Sequence, residues 1–111
     1  AMTKAWSAQS LPEHVAEMRA IAAEQSVEGV VAALEMMRDR PDADLSAVRV
    51  PTSIVVGSAD ALTPPALAED MARAIPGSTL HVLEGAGHFT NVERAAEFDR
   101  VLLDLVRRSA R

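Results

Sequence analysis

Apolar residues in the first third of the chain recur every three or four positions, the period of a helix with one apolar side. Val15, Met18, Ile21 and Ala22 form a first set, and Val27, Val30, Val31, Leu34 and Met37 a second. Ahead of the first, Ser10-Leu11-Pro12-Glu13 fits a capping box, with Ser10 as N-cap and Glu13 reaching back to it. A second helix is expected to start near Ser26. Ala23-Glu24-Gln25-Ser26 breaks the pattern only weakly, so one bent helix fits it as well. Pro41, in Arg38-Asp39-Arg40-Pro41-Asp42, disfavours helix at the residue before it and ends the stretch. Asp44 to Val48 reads as one short helical turn.

The pattern then changes. Thr52-Ser53-Ile54-Val55-Val56 and Thr79-Leu80-His81-Val82-Leu83 are short, nearly continuous apolar runs, as expected for strands covered on both faces. Pro51 opens the first. Between them, Thr63-Pro64-Pro65 reads as a helix start, with Thr63 as cap and prolines where no amide donor is needed. Leu67, Met71 and Ile75 repeat along that helix, and Pro76-Gly77 stops it. Asn91 is the expected N-cap of a last helix with the apolar stripe Phe98, Val101, Leu102, Leu105 and Val106. Arg107, Arg108 and Arg111 stand near its carboxyl end, where cations suit the helix dipole.

The predicted order is helix, helix, strand, helix, strand, helix, an α/β chain with two strands. A strand–helix–strand unit sets its strands parallel and side by side. A parallel pair alone has two open edges and needs cover on both faces, so it makes a poor free-standing core. The expectation is that further sheet comes from another chain or that these residues are a piece of a larger domain.

Composition narrows this little. The 111 residues suit one small domain; 49% are hydrophobic and 24% charged, an ordinary globular balance. The net charge of −5 gives no electrostatic footprint for nucleic acid or an anionic membrane. No apolar run has the length of a signal core or a membrane span, which makes the cytoplasm the default location. Ala1 ahead of Met2 reads as the remnant of a cleaved tag. Cysteine is absent, so disulfides and thiolate metal sites are excluded. With three aromatic residues, Trp6, Phe89 and Phe98, the core must come from aliphatic side chains, and the five methionines read as adaptable core filler.

Candidate chemistry lies at the ends of the two strands. Each run is followed by a glycine-bearing turn, Gly57-Ser58-Ala59-Asp60 after the first and Gly85-Ala86-Gly87-His88 after the second. Parallel strands about 4.8 Å apart can bring loops leaving their ends into hydrogen-bond reach. Open α/β sheets carry their ligand sites on that edge. A neutral imidazole takes a proton near pH 7 when a carboxylate orients its other ring nitrogen, which makes Asp60 and His88 two members of a Ser–His–Asp system. Taken singly, an Asp in such a turn is more often a turn or cap residue than a catalytic one, and His88 alone is as readily a solvated loop residue. His81, inside a strand, is expected to face a partly polar flank. His14, between Glu13 and Glu17, is expected at the surface. No His-x-x-x-His spacing signals a metal site, and no Gly-x-Gly-x-x-Gly follows a strand to bind a nucleotide cofactor.

Several stretches together resemble the C-terminal end of an α/β-hydrolase fold enzyme: Val50-Pro51-Thr52 entering the strand, Gly57-x-x-Asp60-x-x-x-Pro64, Ala74-Ile75-Pro76-Gly77, and Gly85-Ala86-Gly87-His88. Asn91-Val92-Glu93 is similar to the branch that includes 3-oxoadipate enol-lactonases and related esterases. Residues 1–46 resemble the end of that family's cap region, and 47–111 its C-terminal βαβα unit. The resemblance implies a partial α/β-hydrolase fold, with Asp60 as triad acid and His88 as general base acting on a small ester or lactone without a cofactor. The family's chain order is Ser, acid, His, so the nucleophile is expected upstream. No Gly-x-Ser-x-Gly occurs in the 111 residues, and Ser58 stands at a strand end, not in a strained elbow. Arg94-Ala95 departs from the family, which usually has a proline there. The expected partner is a complementing N-terminal half or a second copy of the chain. The competing expectation is a non-catalytic fragment that completes its sheet by oligomerisation.

Overall fold

The computed structural model describes residues 4–110. The expectations for Ala1, Met2 and Arg111 lie outside them. The elements are α1 (Pro12–Ala23), α2 (Val27–Asp39), a 3-10 turn (Leu45–Ala47), β1 (Ser53–Gly57), α3 (Pro65–Ala74), β2 (Thr79–Leu83), the single turn α4 (Thr90–Glu93) and α5 (Ala95–Ser109). The strands are parallel, in the register Ser53 opposite Thr79 through Gly57 opposite Leu83. The predicted strand–helix–strand unit is present, with α4 as an added turn. None of the described helices is long and apolar enough to cross a membrane.

α3 packs on both strands, while α5 packs on β1. Ile54 and Val56 therefore meet Ala68 and Ile75 in the core, flanked by Leu45, Val48, Ala72 and Leu80. The core-facing stripe of α3 is Ala68, Ala72 and Ile75, not the predicted Leu67, Met71 and Ile75. Small residues let the helix approach the strand closely, and the larger pair is displaced outward, Leu67 50% and Met71 40% exposed.

The methionines among the described residues do not fill this core. Met36 and Met37 are exposed, as are Val27, Val30, Val31 and Leu34 of α2. Hydrophobic period alone does not say what a face packs against, and within these residues the apolar side of α2 faces outward.

Three expected caps are corrected. α1 has Leu11 as its N-cap, without a side-chain bond, because the Ser10 hydroxyl donates to Glu93 Oε1 (2.7 Å). α3 starts behind Pro64, and Thr63 turns its side chain to Asp60. Asn91 lies inside α4, and α5 begins at Ala95 behind Arg94. Ser26 does cap α2, accepting from the Gly29 amide at 3.0 Å, which separates two helices where one bent helix also fitted the sequence. Ser26→Ala is expected to lower stability by about 1 kcal/mol. Urea denaturation checks this, and the loss should be confined to the signal of α2.

Candidate active site

Asp60 and His88 meet. Asp60 follows β1 in a turn closed by its own amide donating to the Gly57 carbonyl (3.1 Å). His88 follows β2 after a reversal that places Gly85 at φ +77°, in the left-handed region glycine tolerates. The two turns are stitched together. The Ala59 amide donates to the Ala86 carbonyl (2.9 Å), the Ser58 amide to Leu83 (3.1 Å), and the Gly85 amide to Ser58 Oγ (2.8 Å). Ser58 thus spends its hydroxyl on holding the second turn.

His88 Nδ1 lies 3.0 Å from Asp60 Oδ2. Asp60 is 6% exposed. Its Oδ1 accepts from the amides of Leu62 and Thr63, both at 3.0 Å, and its Oδ2 also accepts from the Thr63 hydroxyl at 3.0 Å. The turn role and the partner role of Asp60 therefore coexist: one oxygen organises the loop and the other faces the imidazole. Thr63 Oγ1 is 3.2 Å from His88 Nδ1 and completes a three-residue cluster. Reading Thr63 as a helix cap hid this role, although its place three residues after Asp60 is the spacing at which an Asp-led turn returns to its own side chain.

Burial pushes the Asp60 carboxyl up. The hydrogen bonds from the Thr63 amide, His88, the Thr63 hydroxyl and the Leu62 amide outweigh it and leave the group below its ordinary value. A carboxylate with a depressed folded pKa stabilises the fold fully above its unfolded value, about 3.9. That contribution is lost as pH falls through the lower folded value. Wild-type protein should thus lose stability below about pH 4 more steeply than Asp60→Asn, in melts recorded across the acid range.

A second carboxylate organises the base of the site. Burial pushes Glu93 up as well, but the Ser7 and Ser10 hydroxyls and the amides of Ser7 and Gly87 bring it below its ordinary value. The His88 amide donates to the Ala5 carbonyl (2.7 Å). Phe89 packs edge-on to the His88 ring at 5.5 Å and against Trp6 at 4.8 Å. The sequence reading missed the bonds of Glu93 to Ser7 and Ser10 and the docking of residues 5–10, because partners more than 80 positions apart leave no local pattern.

Beside the pair, Ile54, Val56, Leu67 and Met71 flank a cleft of about 290 Å³ that reaches Asp60 and His88. A larger open recess, about 650 Å³, lies between Trp6 and α1 and touches neither residue. His81 is half-buried, its Nε2 3.2 Å from Thr79 Oγ1. His14 is not the simple surface residue expected: it is half-buried, and its Nδ1 is enclosed without a hydrogen-bond partner among the described residues. Among the described residues, no three His, Cys, Asp or Glu side chains come together as a metal-ligand set.

Residues 2–101 match the alpha/beta hydrolase family, and the chain belongs to it. The RutD protein of Variovorax paradoxus (strain S110) is 39% identical over 67 residues, 60% of this chain and 25% of that protein. A 2-hydroxy-6-oxononadienedioate/2-hydroxy-6-oxononatrienedioate hydrolase of Pseudomonas putida is 36% identical over 62 residues, 56% of this chain and 22% of that protein. Among solved structures, a thermophilic esterase from Thermogutta terrifontis superposes with a TM-score of 0.91 at 31% identity, over 97% of this chain and 42% of its own. The chain thus spans about a quarter of the length of the curated relatives it matches. With two parallel strands and flanking helices, it forms part of an α/β-hydrolase fold.

Proposed function

We propose that Asp60 and His88 are the acid and the general base of a Ser–His–Asp acyl-transfer centre acting on an ester or lactone, with the nucleophile supplied from outside these 111 residues. The observation that carries the reading is the 3.0 Å contact between His88 Nδ1 and a nearly buried carboxylate. Nδ1–H donating to Asp60 leaves Nε2 as the ring's acceptor. Nε2 then takes the proton from a serine hydroxyl as the oxygen attacks the substrate carbonyl. The imidazolium formed is stabilised by Asp60, and the same proton passes to the departing alkoxide. Water entering on the acyl-enzyme repeats the transfer in the second half-reaction.

Two similarities support the acyl class. One is the Thermogutta esterase; the other is Est816, a solved N-acyl homoserine lactone degrading enzyme, matched with a TM-score of 0.76 at 28% identity. The apolar flanks of the cleft suit the acyl or alkyl part of such a substrate. In this reading residues 1–46 end a cap region, residues 47–111 form the βαβα unit, and the enzyme works in the cytoplasm without a cofactor.

The test is hydrolysis of a chromogenic short-chain ester and a lactone by the full reading frame that contains this sequence. Turnover that His88→Ala abolishes is the expected result. Turnover by the 111 residues alone, lost in His88→Ala, would refute an external nucleophile.

A second reading, self-association without chemistry, is favoured by one observation: Val27, Leu34 and Met37 of α2 are 75%, 59% and 56% exposed. Light scattering on the 111-residue chain decides it, since a monomer with a cooperative melt removes that alternative.

A further inference from the structure

Four hydrogen bonds converge on one carboxylate that takes no part in the acid–base pair. Glu93 Oε1 accepts from the Ser7 hydroxyl (2.5 Å), the Ser10 hydroxyl (2.7 Å) and the Ser7 amide (3.3 Å). Glu93 Oε2 accepts from the Gly87 amide at 3.0 Å. Gly87 immediately precedes His88, whose own amide is held by the Ala5 carbonyl at 2.7 Å. Arg94 adds a contact to Gln9. A Cβ at Gly87 would stand 2.6 Å from the Ala5 carbonyl oxygen and 2.7 Å from Glu93 Oε2, so the clamp and a side chain at this position exclude each other.

Elementary satisfaction of polar groups explains the arrangement. The Gly87 amide is buried in a turn and has no strand partner, and an unpaired buried amide costs about 1–3 kcal/mol. Glu93 supplies the acceptor from α4, the turn that follows His88. Its second oxygen would be left facing the protein, and Ser7 and Ser10 cover it. His88 therefore sits between two backbone anchors, one to Glu93 and one to Ala5, and neither belongs to the strand that delivers it.

We propose that Glu93 is a positioning residue for His88: its carboxylate ties the segment carrying Ser7 and Ser10 to the amide just before the base, and so fixes the imidazole against Asp60. This rests on the reading of His88 as the base. Glu93 does not touch the reacting atoms and handles no proton. With four donors on it, it works as an acceptor alone. A neutral glutamine is expected to serve nearly as well, with its oxygen toward Gly87 and its amide toward the two hydroxyls, at the cost of the longest bond only.

The experiment is nuclear magnetic resonance on the full reading frame that contains this sequence, reading amide exchange and the ring nitrogens of His88. In wild type, His88 should show the single neutral tautomer protonated at Nδ1. Glu93→Ala is expected to speed exchange of the Gly87 and His88 amides about tenfold, as loss of the acceptor of a buried amide implies. It should also move the His88 ring nitrogens toward the averaged values of free imidazole, with β1 and β2 amides unchanged. Glu93→Gln should restore both readouts. Wild-type exchange and ring resonances in Glu93→Ala would overturn the proposal, as would equal acceleration throughout the strands. Should Glu93→Ala fail to fold, Ser7→Ala/Ser10→Ala carries the same test. It removes two donors and leaves the Gly87 bond; faster exchange at Gly87 and His88 is expected, and wild-type exchange there overturns the clamp. A wild-type His88 without the Nδ1–H tautomer would instead count against its role as base, whatever Glu93 does.

Discussion

Asp60→Asn is expected to lower kcat of the full reading frame on its ester by about 10⁴-fold, with little change in KM. The reason lies in how the two oxygens of Asp60 are used. Oδ1 accepts from two backbone amides, which can only donate, so an asparagine must keep its oxygen there. Its amino group then faces His88 Nδ1 in place of Oδ2. A donor facing Nδ1 makes that nitrogen an acceptor and moves the ring proton to Nε2, the atom that receives the nucleophile's proton in the proposed reaction. Geometry is kept while the tautomer is wrong. The His88 ring nitrogen spectrum of the full reading frame should show the switch directly, and an unchanged tautomer in Asp60→Asn would contradict this account. Thr63 is the weaker partner. Its hydroxyl can turn to accept from or donate to whatever faces it, so Thr63→Val should cost far less.

Gly57→Ala carries the largest expected effect on stability. A Cβ at this position would land inside the van der Waals shells of the Ala86 and Gly87 carbonyl oxygens. Those atoms are backbone, so no side chain can swing away, and the two turns must separate. The Ala59–Ala86 and Ser58–Leu83 bonds stretch with them. A loss of about 3 kcal/mol is expected, at the upper end of what overpacking usually costs. Chemical denaturation measures it, and a midpoint equal to wild type would show that the turns are not held as closely as described. The Asp60–His88 contact should weaken in the same variant.

How much of this could be read from the sequence depended on range. The strand–helix–strand unit, its parallel pairing and the meeting of Asp60 with His88 follow from elements that succeed one another along the chain, and all were legible. Ser26 as a cap was legible for the same reason, since its partner is three residues away. Ser10, Thr63 and Asn91 have good capping chemistry too, yet none caps. Ser10 and Thr63 point their hydroxyls at carboxylates, donating to Glu93 and Asp60, and accept from no helix amide. Asn91 was absorbed into α4, whose N-cap is Phe89, and the last helix starts only behind Arg94. The methionines and the apolar side of α2 misled for another reason. Side chains packed against nothing in these residues carry the same period as those in a core. The site showed the same division, with Asp60 and His88 visible as punctuation after two strands and the bonds of Glu93 to Ser7 and Ser10 visible only once the chain was folded.

The Asp60–His88 contact spans 28 positions, whereas the Ser7–Glu93 bonds span 86. Closing the longer loop costs about 1 kcal/mol more in chain entropy. In a refolding chain the pairing of Asp60 with His88 can therefore assemble from contiguous residues first, and the amino-terminal segment arrives afterwards as a latch. The order of events runs against the order of synthesis. Residues 5–10 leave the ribosome before Asp60 and His88 yet settle after them, because Glu93, the residue that receives them, emerges later than both.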